Sequence, residues 1–141
     1  MVGDGELKNN IIEKIKESSL ENEILCLGNC DNISEILSVC DFAVFPSAYE
    51  GFSLSMLEKM ASSLPVICSD IPAFREIIKH GENGYLMQLF DFEAWTDKIK
   101  MLVENDILRF KLGEGARKRS KDFTDKIMTK KYEDLYHSLM V

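Results

Sequence analysis

The sequence predicts an α/β fold with a mainly parallel, Rossmann-like sheet flanked by helices, and two observations carry that prediction. Short apolar runs alternate with amphipathic stretches along the 141 residues, which is the pattern of a parallel sheet with crossover helices. The run Phe42–Phe45 is apolar at every position, as is usual for a strand that helices cover on both faces. With 45% apolar residues, the chain can bury a core and is not predicted to be disordered.

The elements before this run are predicted from spacing and from turn residues. Residues 1–2 are expected to end a strand. A helix follows over residues 6–18, where apolar side chains recur three and four positions apart, as they do on one helix face. Residues 23–27 are predicted to form a second short strand, and Asp31 is placed to cap the next helix.

The elements after the run continue the alternation. A helix is predicted to begin near Ser53, and residues 66–68 form the next buried strand. A short helix over residues 74–79 and a small strand over residues 85–87 complete the predicted sheet region.

The last third of the chain is predicted to be helical. Asp91, Asp106 and Thr124 each precede an amphipathic stretch, and such side chains commonly cap helix N-termini. Trp95 and the methionines at helical spacing are predicted to be core residues.

Composition bounds the function and the compartment. The net charge of −7 disfavours a nucleic-acid partner and requires any anionic ligand to be held by local groups. The four cysteines are predicted to be free thiols in a reducing compartment, so we expect a cytoplasmic protein. We expect one domain over residues 1–141, with the sheet region in residues 1–90 and the C-terminal helices in residues 91–141.

The segment from Pro46 to Leu54 is the first candidate for chemistry. It follows a predicted strand and opens a helix, and ligands of open α/β sheets bind beyond the carboxyl ends of strands. Gly51 lets the backbone approach a ligand closely, and the amides of Phe52 to Leu54 are placed to bind a phosphate at the helix start. The alternative is an ordinary helix start without a ligand.

Two carboxylates flank this helix start. Glu50 precedes the helix and Glu58 lies eight positions later, so both could reach one cleft if the helix begins near Ser53. Carboxylates accept hydrogen bonds from paired hydroxyls such as those of a ribose or a sugar. The alternative is a capping box formed by Ser55 and Glu58, in which Glu58 bonds only to backbone.

These residues carry a resemblance. The segment Glu-Gly-Phe-Ser-Leu-Ser-Met-Leu-Glu, residues 50–58, resembles the signature of two glutamates separated by seven residues in the retaining GT-B glycosyltransferases of family 4, the glycosyl transferases group 1. Further segments resemble the landmarks of this family in the same order: Val2–Gly5, Phe45–Ser47, Glu58–Ala61, Leu64–Ile67, Arg75–Ile77 and Gly81–Leu86. The match covers nearly the whole chain. Lys59 stands where alanine is usual, and Ser63 where glycine is usual.

The resemblance implies an enzyme domain that binds a nucleotide diphosphate sugar as co-substrate, with no cofactor and no metal. Glu50 would face the donor sugar as the catalytic candidate, and Glu58 would bind the ribose hydroxyls. The loop after Gly28 would lie near the base. Backbone groups would contact the sugar and the diphosphate at four neighbouring positions: Gly51, Phe52, Ser53 and Leu54.

The resemblance also implies missing parts. The chain corresponds to an incomplete C-terminal half of the GT-B fold, without the acceptor domain and without the first strand–helix unit of the donor domain. We therefore expect it to be inactive alone, to meet its glycan or lipid-linked acceptor through the missing domain, and to expose sheet edges that favour self-association. The alternative is a non-catalytic domain that binds a nucleotide or a partner and completes a separately encoded half.

The basic run Arg117–Lys121 is predicted to be a solvated helix end. The alternative is a peripheral contact with anionic lipid at the inner face of the membrane.

Overall fold

A computed structural model describes residues 1–140, so the last residue of the predicted helical region, Val141, lies outside the described residues. The chain divides into two compact units, Met1–Ile36 and Leu37–Val141. Each is described by itself.

The first unit contains helix α1 (Lys8–Glu17). The predicted strand over residues 23–27 is wrong, because no regular strand forms anywhere in residues 1–36. The N–H of Leu27 donates to the carbonyl of Met1 at 2.9 Å, and the N–H of Gly3 donates to the carbonyl of Gly28 at 2.7 Å. These backbone bonds join the two segments without forming a regular strand.

Helix α2 (Ile33–Ser38) follows. The prediction that Asp31 caps this helix is wrong, because the residue directly before the helix is Asn32. The carbonyl of Asn32 accepts the N–H of Ile36, which closes the first turn.

Within residues 37–140 of the second unit, the structure describes a three-stranded parallel sheet at the centre. Its strands are β1 (Ala43–Phe45), β2 (Val66–Ser69) and β3 (Gly84–Met87), and their spatial order follows the sequence order. Helix α3 (Leu54–Ala61) lies in the connection from β1 to β2, and helix α4 (Pro72–Ile77) in the connection from β2 to β3. The predicted α/β class and parallel sheet are confirmed.

Two groups of buried side chains cover the two faces of this sheet. Val66 and Cys68 of β2 point to one face and Ile67 points to the other, and all three are fully buried. The first face packs against Met56, Met60, Phe74, Ile77, Ile78 and Ala116. The second face packs against Trp95, Leu102 and Leu112. The prediction that Trp95 is a core residue is confirmed.

The C-terminal part consists of α5 (Phe92–Glu104), α6 (Asp106–Ser120), a 3₁₀ turn (Lys121–Phe123) and α7 (Asp125–Leu139). None of the helices in residues 1–140 has both the length and the apolar character needed to cross a membrane.

The capping predictions for these helices are mostly confirmed. The side chain of Asp91 accepts the N–H of Ala94, and that of Thr124 accepts the N–H of Ile127. The prediction for Asp106 is wrong. The cap of α6 is Asn105, whose side-chain oxygen accepts the N–H of Leu108 at 2.9 Å.

Candidate functional site

The start of α3 has the predicted position and an ordered cap. Ser53 is the N-cap, is only 6% exposed, and accepts the N–H of Met56 on its hydroxyl at 3.4 Å. The first regular helical bond runs from the N–H of Leu57 to the carbonyl of Ser53. The amides of Leu54 and Ser55 come before that bond, so they point out of the helix end, where an anion is favoured.

The position of this helix start excludes Glu58 as a capping residue. With Ser53 as the N-cap, the capping-box position falls on Met56, so the pair of Ser55 and Glu58 is not a capping box. Glu58 is exposed and lies four residues after Leu54. Residues four apart share a helix face and their side chains lean toward the N-terminus, so the Glu58 carboxylate lies on the side of α3 that begins with Leu54.

Glu58 lines a groove of about 500 Å³ beside α3. One wall is a single face of the helix, and the other is built by the end of α6, the 3₁₀ turn and the residue after it. The lining residues from α3 are Leu54, Leu57, Glu58 and Ala61, and those from the opposite wall are Arg117, Ser120, Lys121, Phe123 and Thr124. The groove therefore combines a carboxylate, two cations and an apolar surface.

Glu50 has a different setting. It is half-buried, and its Oε1 accepts a hydrogen bond from the hydroxyl of Ser47 at 3.0 Å. It is not among the residues that line the groove with Glu58. The expectation that both carboxylates share one hollow therefore stays a prediction, while the bond from Ser47 fixes Glu50 within its loop.

The two residues that follow Glu50 are exposed. Gly51 is exposed, and nothing lies within 4 Å of the place where a Cβ would stand, so no crowding requires glycine there. Phe52 is 58% exposed, and its ring contacts that of Phe123 with the centroids 6.1 Å apart.

Gly28 belongs to the first unit and has a φ of +67°, a conformation that favours glycine. Its carbonyl accepts a long bond from the thiol of Cys30 at 3.8 Å. The Lys8 ammonium would lie 3.5 Å from a Cβ at Gly28 and pairs with Asp4 at 2.8 Å. Lys8 beside this loop was not predicted as a site residue.

Lys59 bonds to a residue one turn earlier in α3. Its ammonium donates to the hydroxyl and the carbonyl of Ser55, at 2.7 and 3.1 Å, and lies over the ring of Phe45. Burial lowers the pKa of Lys59, and the neighbouring carboxylate of Glu58 opposes that shift. The lysine at this position therefore fastens the first turn of the helix.

A second polar cluster lies after β2 and β3, at the carboxyl edge of the sheet. Arg75 donates to both carboxylate oxygens of Asp70, at 2.6 and 3.0 Å, and Gln88 donates to the same carboxylate at 3.2 Å. The hydrogen bond from Arg75 lowers the pKa of Asp70. This cluster was not predicted, although Asp70 lies two residues after the strand predicted over residues 66–68.

Comparison with known proteins identifies the relatives. The family model described as "Glycosyl transferases group 1" matches residues 1–119. The chain is 31% identical to the N-acetyl-alpha-D-glucosaminyl L-malate synthase of Bacillus anthracis over 99% of its own length and 37% of that protein. It is 34% identical to a Campylobacter jejuni N-acetylgalactosaminyltransferase that acts on a diphospho-undecaprenol-linked sugar, over 90% of the chain and 35% of that protein.

A solved structure of a related protein has the same fold as this chain. The chain superimposes on a TarM mutant of S. aureus, solved in complex with Fondaparinux, alpha-GlcNAc-glycerol and UDP, with a TM-score of 0.89 and 31% identity. That match covers 96% of this chain and 28% of the TarM chain. The chain thus spans about a third of the length of the relatives that it matches.

Proposed function

Because the chain belongs to the glycosyl transferases group 1 family, we propose that it is the donor-binding part of a retaining glycosyltransferase. The whole enzyme would transfer a sugar from a nucleotide diphosphate sugar to a glycan or lipid acceptor. The acceptor would be held by a part of the enzyme outside the matched region, since the chain spans only about a third of the length of its relatives. The UDP bound to the TarM mutant supports a nucleoside diphosphate as the ligand class.

The observation that carries the proposal is the pairing of an anion-favouring helix start with a carboxylate one turn later. Ser53 fixes the start of α3, and Glu58 lies on the helix face that begins at Leu54. The exposed amides would stabilise the diphosphate, and the carboxylate would accept hydrogen bonds from the ribose hydroxyls.

The chemistry that this arrangement supports is departure of the diphosphate. Negative charge grows on the leaving phosphate as the glycosidic bond breaks, and fixed backbone dipoles stabilise such charge without reorganising. No metal is needed for this role. Glu50 would face the donor sugar from its position before Gly51, with Ser47 holding one of its oxygens.

Calorimetric titration of the chain with UDP tests the proposal. Glu58→Gln removes the charge and keeps the shape, and it should weaken UDP binding about 10- to 100-fold, the value of a charge-assisted hydrogen bond. The loss should be smaller for 2′-deoxy-UDP, which lacks one of the ribose hydroxyls. Affinity should be unchanged by EDTA.

A matched control is Glu104→Gln, which removes an exposed carboxylate at the end of α5. It should leave UDP affinity at the wild-type value. Equal effects of the two substitutions, or an undiminished loss with 2′-deoxy-UDP, would exclude Glu58 as the ribose ligand. Failure of the wild-type chain to bind UDP at millimolar concentration would contradict the proposed function.

Two further contacts belong to this proposal. The strand β1 lies at the edge of its sheet, and we expect it to favour self-association, which sedimentation at increasing concentration would detect.

A peripheral contact with anionic lipid would use the basic run at the end of α6, but Arg119 of that run is engaged with backbone carbonyls. Because Arg119 is engaged, fewer of the positive charges in this run can contact the lipid headgroups.

A further inference from the structure

The side chain of Arg119 ties the end of α6 to the end of α4. Its Nη2 donates to the carbonyl of Glu76 at 2.7 Å, and its Nε donates to the carbonyl of Ile77 at 3.3 Å. Its Nη1 pairs with Asp122 at 2.9 Å. The carbonyls at a helix C-terminus carry partial negative charge, so a guanidinium is well suited to this position.

The same guanidinium holds the 3₁₀ turn. Its central carbon lies 4.7 Å from the centroid of the Phe123 ring, within the range of a cation–π contact. Phe123 is half-buried and packs against the core cluster on the α3–α4 face of the sheet. Two kinds of contact thus fix the orientation of this ring.

The ring of Phe123 in turn contacts the candidate donor loop. Its centroid lies 6.1 Å from that of Phe52 with an interplanar angle of 48°, which is within the range of a favourable aromatic pair. Phe52 lies between Gly51 and the cap Ser53, so a contact that holds its ring also restrains the backbone on either side. A series of direct contacts therefore runs from α4 through Arg119 and Phe123 to the loop.

We propose that Arg119 and Phe123 are positioning residues for the loop Gly51–Leu54, and this inference rests on the proposed function of that loop. Arg119 is not among the residues that line the groove with Glu58, whereas Phe123 lines it from the wall opposite α3. They hold the ring of Phe52 and thereby keep the loop amides aimed at one point, so that the cost of ordering the loop is met before the diphosphate binds.

Two conservative substitutions separate this role from ordinary packing. Phe123→Leu keeps an apolar side chain and removes the aromatic pair. Arg119→Lys keeps the charge and removes the planar fork that serves two carbonyls and a ring at once. Phe110→Leu is the matched control, because Phe110 is an aromatic residue of α6 that is 73% exposed.

The first measurement is the amide NMR spectrum of the ligand-free full chain. Phe123→Leu and Arg119→Lys should each shift the resonances of Gly51, Phe52 and Leu54, and Phe110→Leu should leave them in place. Unmoved resonances in both positioning variants would overturn the proposal. This result does not depend on whether the loop binds a nucleotide.

The second measurement compares UDP with uridine. Each positioning variant should weaken UDP binding about two- to tenfold, the value of one aromatic contact, and should weaken uridine binding less, because uridine has no diphosphate. An equal loss for both ligands would indicate general loosening of the fold and would contradict a positioning role. If wild type binds neither ligand, the proposed function fails, and the NMR comparison alone decides whether Arg119 and Phe123 set the loop.

Discussion

Ser63 offers a direct test of the backbone strain in the turn between α3 and β2. Its φ is +61°, and its N–H donates to the carbonyl of Met60 at 3.0 Å, so the turn holds it in the left-handed region. A residue with a Cβ costs roughly 1–2 kcal/mol in that region. We expect Ser63→Gly to remove this cost.

The gain is reduced by the greater freedom of glycine in the unfolded chain, which is worth about 0.4–1 kcal/mol. The difference predicts that Ser63→Gly raises the free energy of unfolding by about 0.5–1 kcal/mol, or the melting temperature by roughly 2–4 °C. Urea denaturation followed by circular dichroism would measure the first value, and thermal denaturation the second. The same strain explains why glycine is the usual residue at this landmark.

The neighbouring residue provides the control. Ser62 has a φ of −80°, and its hydroxyl donates to the carbonyl of Glu58 at 3.0 Å. Ser62→Gly relieves no strain, adds unfolded-state freedom and loses that bond, so it should destabilise the protein. If Ser63→Gly were neutral or destabilising, or if the two substitutions shifted stability in the same direction, the strain argument would be wrong.

Three further substitutions or probes test the packing and the titrating groups. Gly113→Ala should destabilise the protein by about 1–3 kcal/mol in urea denaturation, because the added methyl group would overlap a carbonyl oxygen of the α3–β2 turn. Arg75→Gln should lower the melting temperature at neutral pH. Because Arg75 lowers the folded-state pKa of Asp70, this difference from wild type should vanish once the pH falls well below the ordinary value of 3.8. Burial raises the pKa of Cys68 to about 12, so iodoacetamide should modify exposed Cys40 at neutral pH and reach Cys68 only after unfolding, as peptide mass spectrometry would show.

Sequence pattern predicts those elements that tertiary packing supports. The strand β2 was predicted because residues 66–68 are all apolar, and both faces of it are buried. The segment predicted as a strand over residues 23–27 is also mostly apolar, but its backbone bonds to Met1 do not extend into a ladder. Composition reports that a segment suits a strand, whereas strand formation depends on a partner elsewhere in the chain.

In the candidate site too, local features were predictable and contacts between distant residues were not. The start of α3 near Ser53 was predictable, because helical spacing and a capping side chain agree there. The contact of Arg119 with α4 was not predictable, because the sequence shows only a basic run at a helix end. The carbonyls of Glu76 and Ile77 that it binds lie more than forty residues earlier. Local pattern cannot identify a contact between residues so far apart in the chain.

Charge also decides how a nucleotide would lie along α3. The chain has a net charge of −7, so a diphosphate needs local compensation, which the amides at the helix start can supply. Glu58 lines the groove farther along the same face, while the cations Arg117 and Lys121 lie on the opposite wall. Against α3 itself, the Glu58 carboxylate would repel a phosphate but accept bonds from hydroxyls. The diphosphate is therefore expected at Leu54 and the ribose one turn along, whereas the reverse orientation would set like charges against each other.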